Sequence, residues 1–241
     1  MNATAAAAAS GALTLNPHDY HFNYAPYRLT GTVYGTLLND RHALAALGDS
    51  VHEPPYKGAP KAPVLYVKPR NTFRPSGARV ITSQATPEWE VGGSLALVIG
   101  RTACRVSVND ALDHVAGYTV VADLSVPHES FYRPSIRFKA RDGSLIVADE
   151  VVAPEAVADP GALTLRAYLD GQLVQESSLS SMVRPAAQLL ADVTDFMTLS
   201  PGDMLLLGVP HGAPRARAGQ QTSVEIRGIG AVHASFVGDE R

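Results

Sequence analysis

The sequence predicts an α+β domain that is mainly β. Three observations carry this. Glycine and proline are both plentiful, 20 and 17 residues, which favours many short strands and turns over a helical bundle. Residues 95–99 (LALVI) and 118–122 (YTVVA) are short apolar runs rich in β-branched residues and ended by Gly or polar residues, the pattern of buried strands. Residues 163–169 (LTLRAYL) alternate in polarity up to Asp170-Gly171, a strong hairpin turn, so a partner strand is expected over 172–177.

At 241 residues the chain suits one large β-rich domain or two small ones. A formal charge of −3, with no basic run and no basic stripe interleaved with aromatics, gives no reason to expect nucleic acid. The single cysteine, Cys104, excludes an intramolecular disulfide and a Cys-based zinc site, and reads as a small buried apolar residue. Residues 1–28 are alanine-rich without a basic start and read as a flexible extension, not a signal peptide. No segment has the apolar length of a membrane span, so a soluble, cytoplasmic protein is expected.

The elements follow in order. Residues 29–39 read as a first strand, after which Asp40 caps a short helix stopped by Gly48. His42 falls in the first turn of that helix and reads first as a solvated residue. Residues 52–63, with four prolines, are loop. In the next strand Val64, Tyr66 and Lys68 alternate with Leu65 and Val67. Glu88 and Glu90, at i and i+2 of a strand, share a face and could either hold a divalent ion or form a solvated edge. Ser107 is expected to cap a helix stopped by Gly117, with Asp110 and His114 as an i, i+4 surface pair. The run 118–122 then leads to Asp123, and Lys139 follows in a basic stretch closed by Asp142-Gly143. A helix is expected over 181–196, a strand at 204–210, and a last hairpin turning at Gly228 and Gly230.

The ordered segments LALVIGR, VNDALDHVAGYTVVADLS, FYRPSIRFKARDG, LDGQLVQ, MTLSPGDMLLLGVP and VEIRGIGAV resemble the fumarylacetoacetate hydrolase family. Within it, PYKGAPKAPVLYVKPRNTF and ESFYRPSIRFKARDG are similar to the N-terminal copy of the isomerase/decarboxylase branch of homoprotocatechuate (4-hydroxyphenylacetate) degradation. Members of that branch look like two fused copies of this domain. The resemblance implies a mixed β-roll with short peripheral helices over residues 29–241. It also implies a homodimer, or a heteromer with a sibling subunit. The expected substrate is a 2-oxo or enol dicarboxylate or tricarboxylate, decarboxylated and isomerised through a stabilised enolate.

The same resemblance implies a divalent ion held by a Glu-x-Glu pair and an Asp, with a lysine beside the enolate. Carried over, the Asp is Asp123 and the lysine Lys139, while the Glu-x-Glu positions are Gly92 and Ser94. Glu88 and Glu90 lie four residues earlier, about 13 Å along a strand. The family's His-x-x-Glu falls at His42 and Ala45, and its Gly-Thr-Pro threonine at Val209. The expected catalytic set is therefore Lys139, Asp123 and His42, with Arg133 and Arg141 for substrate carboxylates. No tightly bound metal is expected; Mg2+ or Mn2+ would require a rebuilt site. The alternative is a catalytically degenerate subunit supporting a metal-bearing sibling.

Overall fold

The computed structural model describes residues 31–128 and 136–239. Thirteen strands are present: β1 Val33–Leu37, β2 Val64–Lys68, β3 Phe73–Pro75, β4 Ala78–Thr82, β5 Glu88–Ile99, β6 Val115–Ser125 and β7 Leu145–Val147. The remainder are β8 Thr164–Leu169, β9 Gln172–Ser178, β10 Met204–Leu206, β11 Arg215–Arg217, β12 Gln221–Ile226 and β13 Gly230–Gly238. Three short helices accompany them, α1 Arg41–Ala46, α2 Ile136–Lys139 and α3 Ala186–Thr194.

One sheet has the order β2-β1-β10-β5-β6-β7-β3, with β11 added beside β5; the other runs β4-β13-β12-β8-β9. The β1–β10, β3–β7 and β4–β13 pairs are parallel and the rest antiparallel, so both sheets are mixed. The long central pair explains the curl of the first sheet. Leu95, Leu97 and Ile99 of β5 point one way and join Val224, Val232 and Phe236 of the second sheet in the main core. Ala96 and Val98 point the other way and meet Val33, Val121, Val147 and Leu206, all from the first sheet itself. A strand buried on both faces reads as an unbroken apolar run, which is why 95–99 carries no polar alternation.

The hairpin over 164–178 forms as predicted, with Asp170 and Gly171 at φ 49° and 79° supplying the left-handed turn. Asp40 caps α1 as predicted, its Oδ1 accepting from the Ala43 amide at 2.9 Å. Other expectations are corrected. Ser107 does accept from the Asp110 amide, but only a 3-10 turn over Ala111–His114 follows. Gly117 does not stop a helix: it lies inside β6, where a Cβ would stand 2.5 Å from the Val152 carbonyl oxygen. Asp110 and His114 do not pair; the former accepts from Ser107 Oγ, and His114 Nδ1 lies 3.0 Å from the Thr102 carbonyl. The helix expected over 181–196 begins only at Ala186, because Pro185 restricts the residue before it and stands as the N-cap. Cys104 is exposed, not buried. Among the described residues no helix is long and apolar enough to cross a membrane.

Candidate functional site

The curl of the first sheet folds β2 back toward β6, and three side chains meet on Asp123. That carboxylate is fully buried. Lys68 Nζ lies 2.7 Å from Oδ1, Lys139 Nζ lies 3.1 Å from Oδ2, and the Tyr66 hydroxyl donates to Oδ2. Lys68 also donates to the Leu124 carbonyl at 2.8 Å and the Ser144 carbonyl at 3.0 Å. Its ammonium is thus fully solvated by protein, the condition for keeping a lysine in a strand core. Lys139 stands at the C-terminal end of α2 with its Nζ 4.8 Å above the Tyr66 ring.

The electrostatics follow from burial set against charge. Burial alone would raise the Asp123 carboxyl, but the ammonium groups of Lys139 and Lys68 and the hydrogen bonds to it outweigh that and hold it below the usual range. Burial lowers Lys68 to about 8 despite its carboxylate partner, and Lys139 adds to the lowering. Tyr66 is pushed well above its ordinary value, first by burial and then by the Asp123 charge.

The cation positions implied by the resemblance can be tested against this geometry. Gly92 stands directly across the β5–β6 ladder from Asp123. A Cβ on Gly92 would meet Val209 Cγ2 at 2.7 Å and the Asp123 carbonyl oxygen at 2.8 Å. Ser94 is fully buried, its Oγ donating to the Leu95 carbonyl and accepting from the Gly208 amide, each at 3.2 Å. Hard divalent ions take six or more oxygens, several of them anionic. Here the one carboxylate is shared by two ammonium groups, and a valine fills the space of a second. The residues present do not fit a divalent ion. No cluster of three or more His, Cys, Asp or Glu side chains forms a metal site among the described residues.

Glu88 and Glu90 separate from one another. Glu88 is clamped by Arg215 Nη1 and Arg217 Nη2, each at 3.0 Å, and the Arg217 hydrogen bond holds its carboxyl low against a smaller burial effect. It is committed to two exposed arginines at the start of β5, which fits the edge reading rather than that of a metal ligand. Glu90 shares a β5 face with Gly92 and lies across from Ser125. It lines a cavity of about 400 Å³ together with Lys139, His128, His211 and Arg215. The expectation that both glutamates lie far from the site is thus corrected for Glu90. Its displacement along β5 takes it away from the Asp123 carboxylate, yet it reaches the space into which Lys139 opens.

The remaining expected site residues fare unequally. Lys139 and Asp123 come together. His42 does not join them: with Asp40 as cap, α1 turns Ala43 and Ala46 toward the cavity and leaves His42 exposed. The histidines lining the cavity are His128, stacked on Phe138 at 4.9 Å, and His211. Arg141 also points elsewhere. The chain reverses through Gly143, at φ 68°, and sends Arg141 into a separate groove with Arg74, Arg79 and Thr86. Arg133 lies outside the described residues, as do residues 1–28. Sequence reasoning missed Tyr66 and Lys68. The available signal was a lysine two residues after a tyrosine within the apolar strand VLYVK, where alternation places both on one face.

The sequence profile of the fumarylacetoacetate (FAA) hydrolase C-terminal domain matches residues 32–237. A 4-hydroxyphenylacetate degradation bifunctional isomerase/decarboxylase of Escherichia coli is 35% identical over 213 residues, which are 88% of this chain and 48% of that protein. The chain spans about half the length of the curated relatives of this kind that it matches. Among solved structures, a 2-hydroxyhepta-2,4-diene-1,7-dioate isomerase from Mycobacterium marinum superposes with a TM-score of 0.71 at 27% identity, over 88% of this chain and 77% of that one. A fumarylpyruvate hydrolase from Pseudomonas aeruginosa, solved with Mn2+ and pyruvate, has a TM-score of 0.75 at 22% identity and covers 86% of this chain and 90% of its own. The last comparison speaks to the fold alone. The chain belongs to the fumarylacetoacetate hydrolase family.

Proposed function

We propose that this chain is the metal-lacking subunit of an isomerase/decarboxylase acting in 4-hydroxyphenylacetate degradation, and that it supports a metal-bearing sibling domain. The pathway comes from the curated relatives, which are enzymes of that degradation and about twice this chain's length. The missing metal comes from one observation: Asp123 is spent on Lys68, Lys139 and Tyr66, opposite a glycine whose Cβ space Val209 occupies. On this reading the sibling performs decarboxylation of 5-oxopent-3-ene-1,2,5-tricarboxylate and the proton shift that follows. This chain supplies an interface.

A second reading is favoured by Glu90. Its carboxylate lines the same cavity as Lys139, so a proton carrier and an enolate-stabilising ammonium stand in one space. The chain would then turn over substrate itself, without a chelated ion. Purified protein, alone and mixed with a metal-bearing family member, is assayed for decarboxylation and for bound Mg2+ or Mn2+. The first reading expects neither activity nor stoichiometric metal in the chain alone, and a stabilised or more active mixture. Turnover by the chain alone in chelator supports the second. Stoichiometric metal bound to the chain alone defeats both.

A further inference from the structure

The cavity holding Lys139 has a charge pattern that the proposed partner role leaves unused. Two ion clusters each send one cation to its lining, Lys139 and Arg215. In the first, Lys68 and Lys139 share Asp123; in the second, Arg215 and Arg217 share Glu88. With Glu90 added, these groups still carry one more cation than anion. Glu90 itself makes no hydrogen bond or ion pair with the described residues. Leu37, Leu47 and Pro210 add apolar lining to the same space. At about 400 Å³ the space suits a small ligand.

We propose that this cavity is a metal-independent receptor for a small hydroxycarboxylic acid. Its carboxylate is seated between Lys139 and Arg215, and its hydroxyl donates to Glu90. The inference rests on the reading that no chelated metal occupies the site. The single excess positive charge suits a monoanion. Glu90, an acceptor without a donor, suits a ligand that brings an O–H. A keto oxygen in the same place would set its lone pairs against the carboxylate. The receptor therefore prefers a 2-hydroxy acid over the corresponding 2-oxo acid, which is the reverse of what a chelated cation would select.

Lactate, pyruvate and propionate are titrated into the full chain by calorimetry or ligand-observed NMR, in EDTA and then with Mn2+. Lactate is expected to bind in EDTA more tightly than either of the others, with no gain from Mn2+. Arg215→Gln and Lys139→Met are each expected to weaken lactate about tenfold, as loss of a charged hydrogen bond implies. Glu90→Gln, whose amide can donate to a carbonyl, should abolish the discrimination against pyruvate. Should Lys139→Met fail to fold, Arg215→Gln and Glu90→Gln carry the test alone. Absence of lactate binding with and without Mn2+ overturns the receptor and leaves the partner reading standing. Binding that appears only with Mn2+ overturns both. Pyruvate binding tighter than lactate in EDTA overturns the receptor, as does an Arg215→Gln affinity equal to the native one.

Discussion

Asp123 is held by two ammonium groups and a phenol, so its removal leaves more than a lost contact. Asp123→Asn would strand Lys68 and Lys139 as neighbouring cations with no anion between them. Breaking a buried ion pair from one side costs about 3–5 kcal/mol. We expect urea unfolding of Asp123→Asn to show a loss of that size. A change under about 1 kcal/mol would mean the cluster is open to water. Gly92 gives a second test at this scale. Gly92→Glu forces a Cβ against Val209 and the Asp123 carbonyl, and overpacking of this kind costs about 1–3 kcal/mol. Adding Val209→Ala should recover part of the loss, because the nearest of those atoms is then gone; a double mutant no more stable than Gly92→Glu would refute that steric account. Individual side chains were also where sequence reasoning was weakest. Asp123 and Lys139 were legible because each closes a recognisable segment. Tyr66 and Lys68 were not, because a lysine in a strand looks solvated until the far end of the sheet curls over it.

At the scale of elements, caps and turns were the most legible features. Asp40 illustrates why. Its role is local, set by the three residues that follow, and it could be read from them. The structure adds long-range partners: Ser181 Oγ donates to its Oδ2 at 2.6 Å and the His211 amide to its Oδ1 at 3.2 Å. Asp40 thereby ties α1 to the segment that borders the cavity. An ordinary N-cap loss costs about 1 kcal/mol. Asp40→Ala should cost about 2 kcal/mol in chemical denaturation, since donors from two further segments lose their acceptor too; Asp40→Asn should keep most of the native value. The helix expected over 107–117 failed for the opposite reason. Its residues have helical local signals, but β6 needs them from Val115 onward, and pairing along the full length of β5 overrides propensity. Gly117 looked like a stop signal and is a close-approach residue instead, a distinction visible only once the Val152 carbonyl is in place.

For the whole molecule, buried titrating groups predict how stability responds to pH. Lys68 gives up its proton near 8 in the folded state but near 10.5 when unfolded. Between those values the unfolded chain binds more protons, so this group makes stability rise with pH. Tyr66 works the other way above about 10, because the folded state keeps a proton that the unfolded chain releases. Asp123 is lowered on folding, so its contribution is present above 3.8 and is lost as pH falls through the lower folded value. Urea midpoints compared at about pH 7.5 and 9.5 should therefore show the native protein gaining stability relative to Lys68→Met. A relative loss over that interval would mean that the Lys68 ammonium is favoured by folding. Fold class was the most legible property at this scale. The mainly β architecture follows from turn composition and short apolar runs, and the ordered segments point to the family. What joins β2 to β6 was not legible, since it depends on closure of the sheet and not on any neighbouring residues.

The packing of Val209 against Gly92 also bears on which further changes the sequence can accept. A sequence that gained an acid at position 92 while Val209 stayed in place would first lose stability. Trimming Val209 first would open a void and confer no chemistry. Neither single change brings a gain, so the contact acts as a lock: an acid at position 92 becomes tolerable only when Val209 is trimmed together with it.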